Sequence, residues 1–227
     1  MPRRTKTKDL KRKTANRPER KTVVIFCEGE ASEPDYINGL KRLPKVHSNT
    51  SVDIEIDPRR GVPLTLVKLA IGRAADDEVD ECWCVFDVEW PKNHPNLKQA
   101  IQLARDHDIG LVISNPCFEL WLILHFEDQA AFLDTDKAES RSRELDGRSG
   151  KRINADQYIP RRDEAARRAS LLSRRHERDQ TLFPHDNPSS TMRELLTAIS
   201  AIEPLSPSAA KSSTPPRWPS SRGVPGR

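Results

Sequence analysis

Three carboxylates stand where a strand-built active site would need them. Glu28 follows the apolar run Val23–Cys27 directly, and Asp87 and Glu89 close the run Cys82–Val88. Side chains two apart on a strand point the same way, so Asp87 and Glu89 are expected to share one face. Carboxylate oxygens suit Mg²⁺, which keeps several waters and is shared with substrate phosphates; Mn²⁺ is the alternative ion. Glu28 would face the pair as a further ligand or as general acid/base. Gly29 lets the backbone after the first strand approach a ligand closely. The competing reading of each acid is a solvated strand-end carboxylate.

Other residues extend this picture, each with a structural alternative. Glu30 and Glu33 would either widen the metal site or favour the N-terminus of the following helix, which Ser32 is expected to cap. Ser114 and Asn115, at the end of a later strand, would bind substrate or cap a helix. Glu119 lies one turn into an apolar helix among Phe118, Leu120, Trp121 and Leu122, where burial without a partner is costly. His125 is about 120° from Glu119 around that helix and is expected to be a core group. Trp83 and Trp121 are expected to pack, whereas Trp90 is placed for stacking on a base. Neither Tyr36 nor Tyr158 has the context of a covalent nucleophile, so a hydrolytic water is the simpler attacking group.

The elements that must hold these residues alternate. Val23–Cys27, Val52–Asp57, Cys82–Val88 and Leu111–Ile113 read as strands. Helices are expected over Ser32–Leu43, Val62–Ala75, Pro95–His107 and Cys117–Phe126. This pattern predicts a small parallel sheet with helices on both faces. Residues 134–160 are polar and are expected to form an exposed loop region. A charged helix over Arg161–Arg178 and a last helix after Asn187-Pro188-Ser189 would form a helical C-terminal extension. The expected division is a basic arm (1–21), an α/β domain (22–130), a loop and helical extension (131–202) and a Ser/Pro-rich tail (203–227).

The 227 residues are 35% hydrophobic and 32% charged, below the usual ~45–50% apolar content, so part of the chain is expected not to pack. The net charge of +4 is uneven. Residues 1–21 hold ten Lys/Arg against Asp9 and Glu19, a net of +8, and residues 205–227 hold four basic residues and no acid, leaving −8 for the middle. Arg3, Arg4, Lys6, Lys11, Arg12 and Lys13 would neutralise nucleic-acid phosphates without reading sequence; a solubilising tail is the alternative. The acidic middle would repel such a substrate except where a cation offsets it. Cys27, Cys82, Cys84 and Cys117 form no CxxC pair, which argues for reduced thiols and against a structural zinc. With no apolar run of membrane-spanning length, a cytoplasmic protein is expected.

The lone Glu28 and the pair Asp87-Val88-Glu89 resemble the Toprim domain, whose pair reads Asp-x-Asp. A closer resemblance is to the RloB-like (AbiLii-type) family of bacterial phage-defence proteins. It rests on Cys27-Glu28-Gly29-Glu30-Ala31-Ser32-Glu33-Pro34-Asp35-Tyr36, on Val85-Phe86-Asp87-Val88-Glu89, on the segment Ser114–Phe126 and on Asn187-Pro188-Ser189. The resemblance implies a Toprim-like fold, metal-dependent nuclease activity in abortive infection and an AAA-type ATPase partner. The other function class is a non-catalytic sensor or adaptor that binds a nucleotide or nucleic acid in the same pocket.

Overall fold

Alternate residues of the first strand serve two different cores. In β1 (Lys21–Cys27), Val23, Ile25 and Cys27 enter one apolar cluster while Val24 and Phe26 enter another. That period of two is the signature of a strand covered on both faces. The computed structural model describes residues 21–47, 52–199 and 201. Its strands continue with β2 (Val52–Asp57), β3 (Glu81–Asp87), β4 (Gly110–Asn115) and β5 (Ser189–Ser190). They form one sheet in the order β2-β1-β3-β4-β5. The first four are parallel, and the two-residue β5 joins β4 antiparallel. The protein is α/β, and the arrangement is consistent with a Toprim-like fold.

Helices cover both faces. α1 (Ser32–Lys41) follows β1 and is succeeded by the short α2 (Pro44–His47), which starts at the proline expected to end the first helix. α3 (Pro63–Ala74) and α4 (Leu97–Asp106) bury Leu66, Val67, Ala70, Ala100, Ile101 and Ala104 on the Val24/Phe26 face. On the other face lie α1 and α5 (Phe118–Ile123), joined by α7 (Arg162–Arg178) and α8 (Met192–Ala198). The C-terminal helices thus share a core with β1: Ala165, Ala169, Leu172, Leu195 and Leu196 sit in the same cluster as Val23 and Tyr36.

Residues 134–160 are not the expected loop region. They begin with α6 (Thr135–Asp146), in which only Ala138 and Ser142 are buried. Such a helix carries no apolar stripe for periodicity to detect. Its ends are nevertheless defined: the Asp134 carboxylate accepts from the Lys137 amide at 2.8 Å, and Gly147 closes the helix at φ 72°, a conformation glycine adopts without a Cβ penalty. Arg141 ties the helix to Glu127 at 2.8 Å. Two single 3₁₀ turns, Ala155–Gln157 and Ile159–Arg161, then bring Ala155, Tyr158 and Ile159 against the core. Gly39 permits this packing, since a Cβ there would meet that of Ala155 at 2.6 Å.

One smaller expectation also changes. Ser32 is the first helical residue of α1 rather than its cap, Ala31 being the cap position without a side-chain bond. The basic residues Arg3, Arg4, Lys6, Lys11, Arg12 and Lys13, and the tail 203–227, lie outside the described residues. Among the described residues no helix is long and apolar enough to cross a membrane.

Candidate functional site

In a sheet ordered β2-β1-β3-β4, the chain turns in opposite directions from β1 and β3, and ligands bind in the crevice beyond their carboxyl ends. Glu28 leaves β1 there, and Asp87 is the last residue of β3. The two are joined directly: the Glu28 amide donates to Val85 O at 3.0 Å, and the Asp87 amide donates to Glu28 Oε2 at 3.2 Å. Sheet register therefore places these two carboxylates together.

Glu89 reaches the same place by another route. β3 stops at Asp87, and Glu89 adopts a left-handed backbone at φ 64°, so the simple alternation expected of Asp87 and Glu89 does not apply. The Glu89 amide bonds Pro116 O at 2.8 Å, and its Oε2 accepts from Thr135 Oγ1 at 2.9 Å. Thr135 also receives the Trp90 amide at 3.0 Å, coupling the start of α6 to the acidic turn.

An open pocket of ≈ 630 Å³ gathers Glu28, Glu33, Asp87, Glu89 and Glu119, with Glu30 on its exposed lip. Glu33 is buried and accepts the Gly29 amide at 3.0 Å. Glu119 accepts from Ser32 Oγ at 3.2 Å, giving this acid on an apolar helix the polar partner it requires. His94 Nε2 lies 2.9 Å from Glu28 Oε1, and this contact raises the His94 pKa.

The pocket resists ionisation of its own acids. Desolvation, then the charges of Glu33, Glu119, Glu28 and Glu89, push Asp87 well above the usual carboxylate range. Glu33 is pushed up to about 7, first by burial and then by Glu119 and Glu28 against two backbone hydrogen bonds. Glu89 is raised by burial in spite of Thr135. Clustered carboxylates raise one another's pKa in this way unless a cation is present. One atom fits a hard cation directly: Asp87 Oδ1 is buried without a hydrogen-bond partner. Among the described residues, however, no three His, Cys, Asp or Glu side chains are gathered as a ligand shell. Glu28, Glu33 and Glu89 are engaged by His94, Gly29 and Thr135 instead.

Ser114 and Asn115 lie outside this lining. Ser114 Oγ is 3.2 Å from Ser190 Oγ, and Asn115 Nδ2 donates to Pro184 O and Asp186 Oδ1 at 2.9 and 3.0 Å. They anchor the return of the chain to β5. His125 is a core group, with Nε2 3.0 Å from the Tyr36 hydroxyl and Nδ1 2.8 Å from Trp121 O. Trp121 is fully buried; Trp90 packs edge-to-face on Phe132 at 5.4 Å. All four cysteines are free and buried.

Sequence reasoning missed the opposite wall. Thr135, Glu139, Arg143, Arg148, Lys151 and Arg152 line the pocket, all from the segment expected to be an exposed loop. The signals that could have found it are the Asp134 and Gly147 caps and the recurrence of basic residues in an otherwise acidic middle.

A mostly parallel sheet with acids at its switch point and cations on the facing wall defines an α/β protein with a charged pocket at the carboxyl edge of its sheet. The family model described as RloB-like protein matches residues 23–199, and the chain belongs to the RloB-like family. No curated protein and no solved structure matches it significantly.

Proposed function

We propose that this pocket hydrolyses phosphodiester bonds of DNA or RNA with a divalent cation, in anti-phage abortive infection alongside an AAA-type ATPase. The observation that carries the reading is the unpartnered, buried Oδ1 of Asp87 within a carboxylate cluster at the sheet's switch point. Asp87 and Glu89 would hold Mg²⁺ or Mn²⁺, with Glu28 as shared ligand or general acid/base. When bound, such an ion stabilises charge on the scissile phosphate and provides an activated water. Glu28 receives the Asp87 amide at Oε2 and has His94 Nε2 2.9 Å from Oε1 as a charge neighbour. Thr135 orients Glu89 through Oε2. The basic wall facing these acids offsets repulsion of a polyanion by an acidic middle.

The engaged state of Glu28, Glu33 and Glu89, with no assembled ligand shell among the described residues, favours a second reading. In it the pocket binds a nucleotide or nucleic acid without cleaving it, as a sensor or adaptor. The test is to incubate the protein with plasmid DNA, single-stranded DNA and total tRNA in Mg²⁺, Mn²⁺ or EDTA, with Glu28→Gln and Asp87→Asn alongside. Cleavage that needs metal and disappears in both variants is the expected result. Absence of cleavage, even with the ATPase added, would leave the binding reading standing.

A further inference from the structure

Of the cations on the pocket's basic wall, Arg143 and Arg152 are each paired with a carboxylate, and Lys151 is exposed. Arg143 pairs with Glu139 at 2.5 Å, and Arg152, largely exposed, pairs with Asp35 at 2.6 Å. Arg148 is built differently. Its side chain is only 9% exposed, yet it lines the pocket. Nη1 donates to Asp146 Oδ2 at 2.7 Å and lies 3.4 Å from the Tyr158 hydroxyl, which itself donates to Asp146. The Arg148 amide is held by the other oxygen of Asp146 at 3.0 Å. Asp146 is 3% exposed at its side chain, and Tyr158 is fully buried. Against the desolvation that would raise it, the Tyr158 and Arg148 hydrogen bonds keep the Asp146 carboxyl below its ordinary range.

This clamp occupies one nitrogen and leaves the others. Nε is buried with no hydrogen-bond partner, and Nη2 lies 3.8 Å from Glu119 Oε1, beyond hydrogen-bond reach. Nε and Nη2 form the guanidinium edge with two parallel N–H donors, the geometry that takes two oxygens of one phosphate. A buried arginine with this edge unfilled carries a standing penalty that an anion would remove.

We infer that Arg148 is the phosphate-binding residue of the pocket, its Nε–Nη2 edge receiving two non-bridging oxygens of the substrate phosphate while Asp146 and Tyr158 hold it in place. This deepens, and rests on, the phosphodiester reading of the same site. It makes the wall opposite the carboxylates the part that recognises substrate. Arg152, tied to Asp35, would contribute only through long-range charge.

Binding of a nucleoside 3′,5′-bisphosphate, in deoxy and ribo forms, would be measured calorimetrically on the full chain in Ca²⁺ at fixed salt. This small probe keeps contributions from the basic arm low. Arg148→Gln is expected to weaken binding at least ~10-fold, and Arg148→Lys, which keeps the charge but loses the fork, to fall between. Because Arg148→Gln strands the Asp146 carboxylate, the neutral double variant Asp146→Asn/Arg148→Gln guards against a folding artefact and should bind as weakly. Arg167→Gln, at an exposed arginine of α7 paired with Glu164 and outside the pocket lining, should bind as the unaltered protein does. Unchanged affinity in folded Arg148 variants, an equal loss in Arg167→Gln, or no binding by the unaltered protein would each overturn the inference. A parallel cleavage assay separates the two claims. Arg148-dependent binding without cleavage removes hydrolysis alone, and cleavage with Arg148-independent binding removes this inference alone.

Discussion

Two clusters of buried polar groups lie within the same half of this molecule, and they are finished differently. Around His125, both ring nitrogens have partners, and Tyr36, Trp121 and Tyr158 close on the imidazole with ring centroids 5.0 to 5.3 Å away. At the end of β1 and β3, Asp87 and Glu33 are raised in pKa by burial and by one another, and an oxygen of Asp87 has no partner. Buried polar groups in a purely structural role are hydrogen-bonded as a rule. The first cluster follows that rule at the imidazole, with the Trp121 indole N–H its one unpartnered group, and holds the core; the second leaves a carboxylate oxygen unpartnered among mutually repelling acids and is open to a ligand that would complete it.

The sharpest way to break this contrast is by substitution. Trp121→Ala, at a fully buried position, is expected to cost about 3–5 kcal/mol in chemical denaturation. Asp87→Asn should leave stability unchanged or raise it, because it removes a repelled carboxylate. Glu28→Gln is expected to lower metal-dependent cleavage by roughly 10²–10⁴-fold with the fold intact, as read by gel assay and circular dichroism. If Asp87→Asn unfolds the protein as Trp121→Ala does, the acidic cluster is structural and the contrast fails.

The two clusters also pull the stability–pH curve in opposite directions. Burial holds His125 neutral, its pKa lowered to about 3. The unfolded chain therefore takes up a proton first, and this stability is present above ~6.5 and falls as pH drops toward 3, by about 3 kcal/mol at pH 4.5. Glu33, raised to about 7, has the reverse sign. Its folded form binds the proton more tightly, so stability falls as pH rises from ~4.5 to 7, by an amount of order 3 kcal/mol. Thermal melts should show His125→Gln gaining relative stability in acid and Glu33→Gln gaining it near pH 8. A divalent cation at pH 8 should stabilise the unaltered protein more than Glu33→Gln. Identical pH curves for the two variants would erase the distinction.

The smallest effects sharpen the border of the site. Asp134→Ala, which removes the N-cap of α6, and Gly147→Ala, at φ 72°, should each cost about 1 kcal/mol. If α6 orders the basic wall, both should weaken nucleotide binding more than this loss of stability alone explains. Affinity that tracks stability only would place α6 outside the site.

The parts of this fold that are legible in the sequence are those with a local pattern. Continuous apolar runs such as Val23–Cys27 specify strands covered on both faces, and the positions of Glu28 and Asp87 after two of them mark the carboxyl edge of the sheet. The helix stripes of α3, α4 and α8 are legible for the same reason. Polar α6 is not, because a helix with two buried residues has no period to display, and the two-residue β5 is too short for any pattern. Ser114 and Asn115 share the residue types and strand-end position of a binding site, and only the path of residues 184–190 past them shows that they anchor the chain.

The layers of the fold, the family and the acidic side of the pocket are thus written in the linear chain, because periodicity and strand-end position are local properties. That β1 and β3 are neighbours, that Glu33 and Glu119 press on Asp87, and that Arg148 faces them emerges only once the chain is folded. Those facts depend on strand order and on the docking of a segment some sixty residues beyond Asp87. Electrostatic coupling depends on separation in space, and nothing in the linear spacing of these residues encodes that separation.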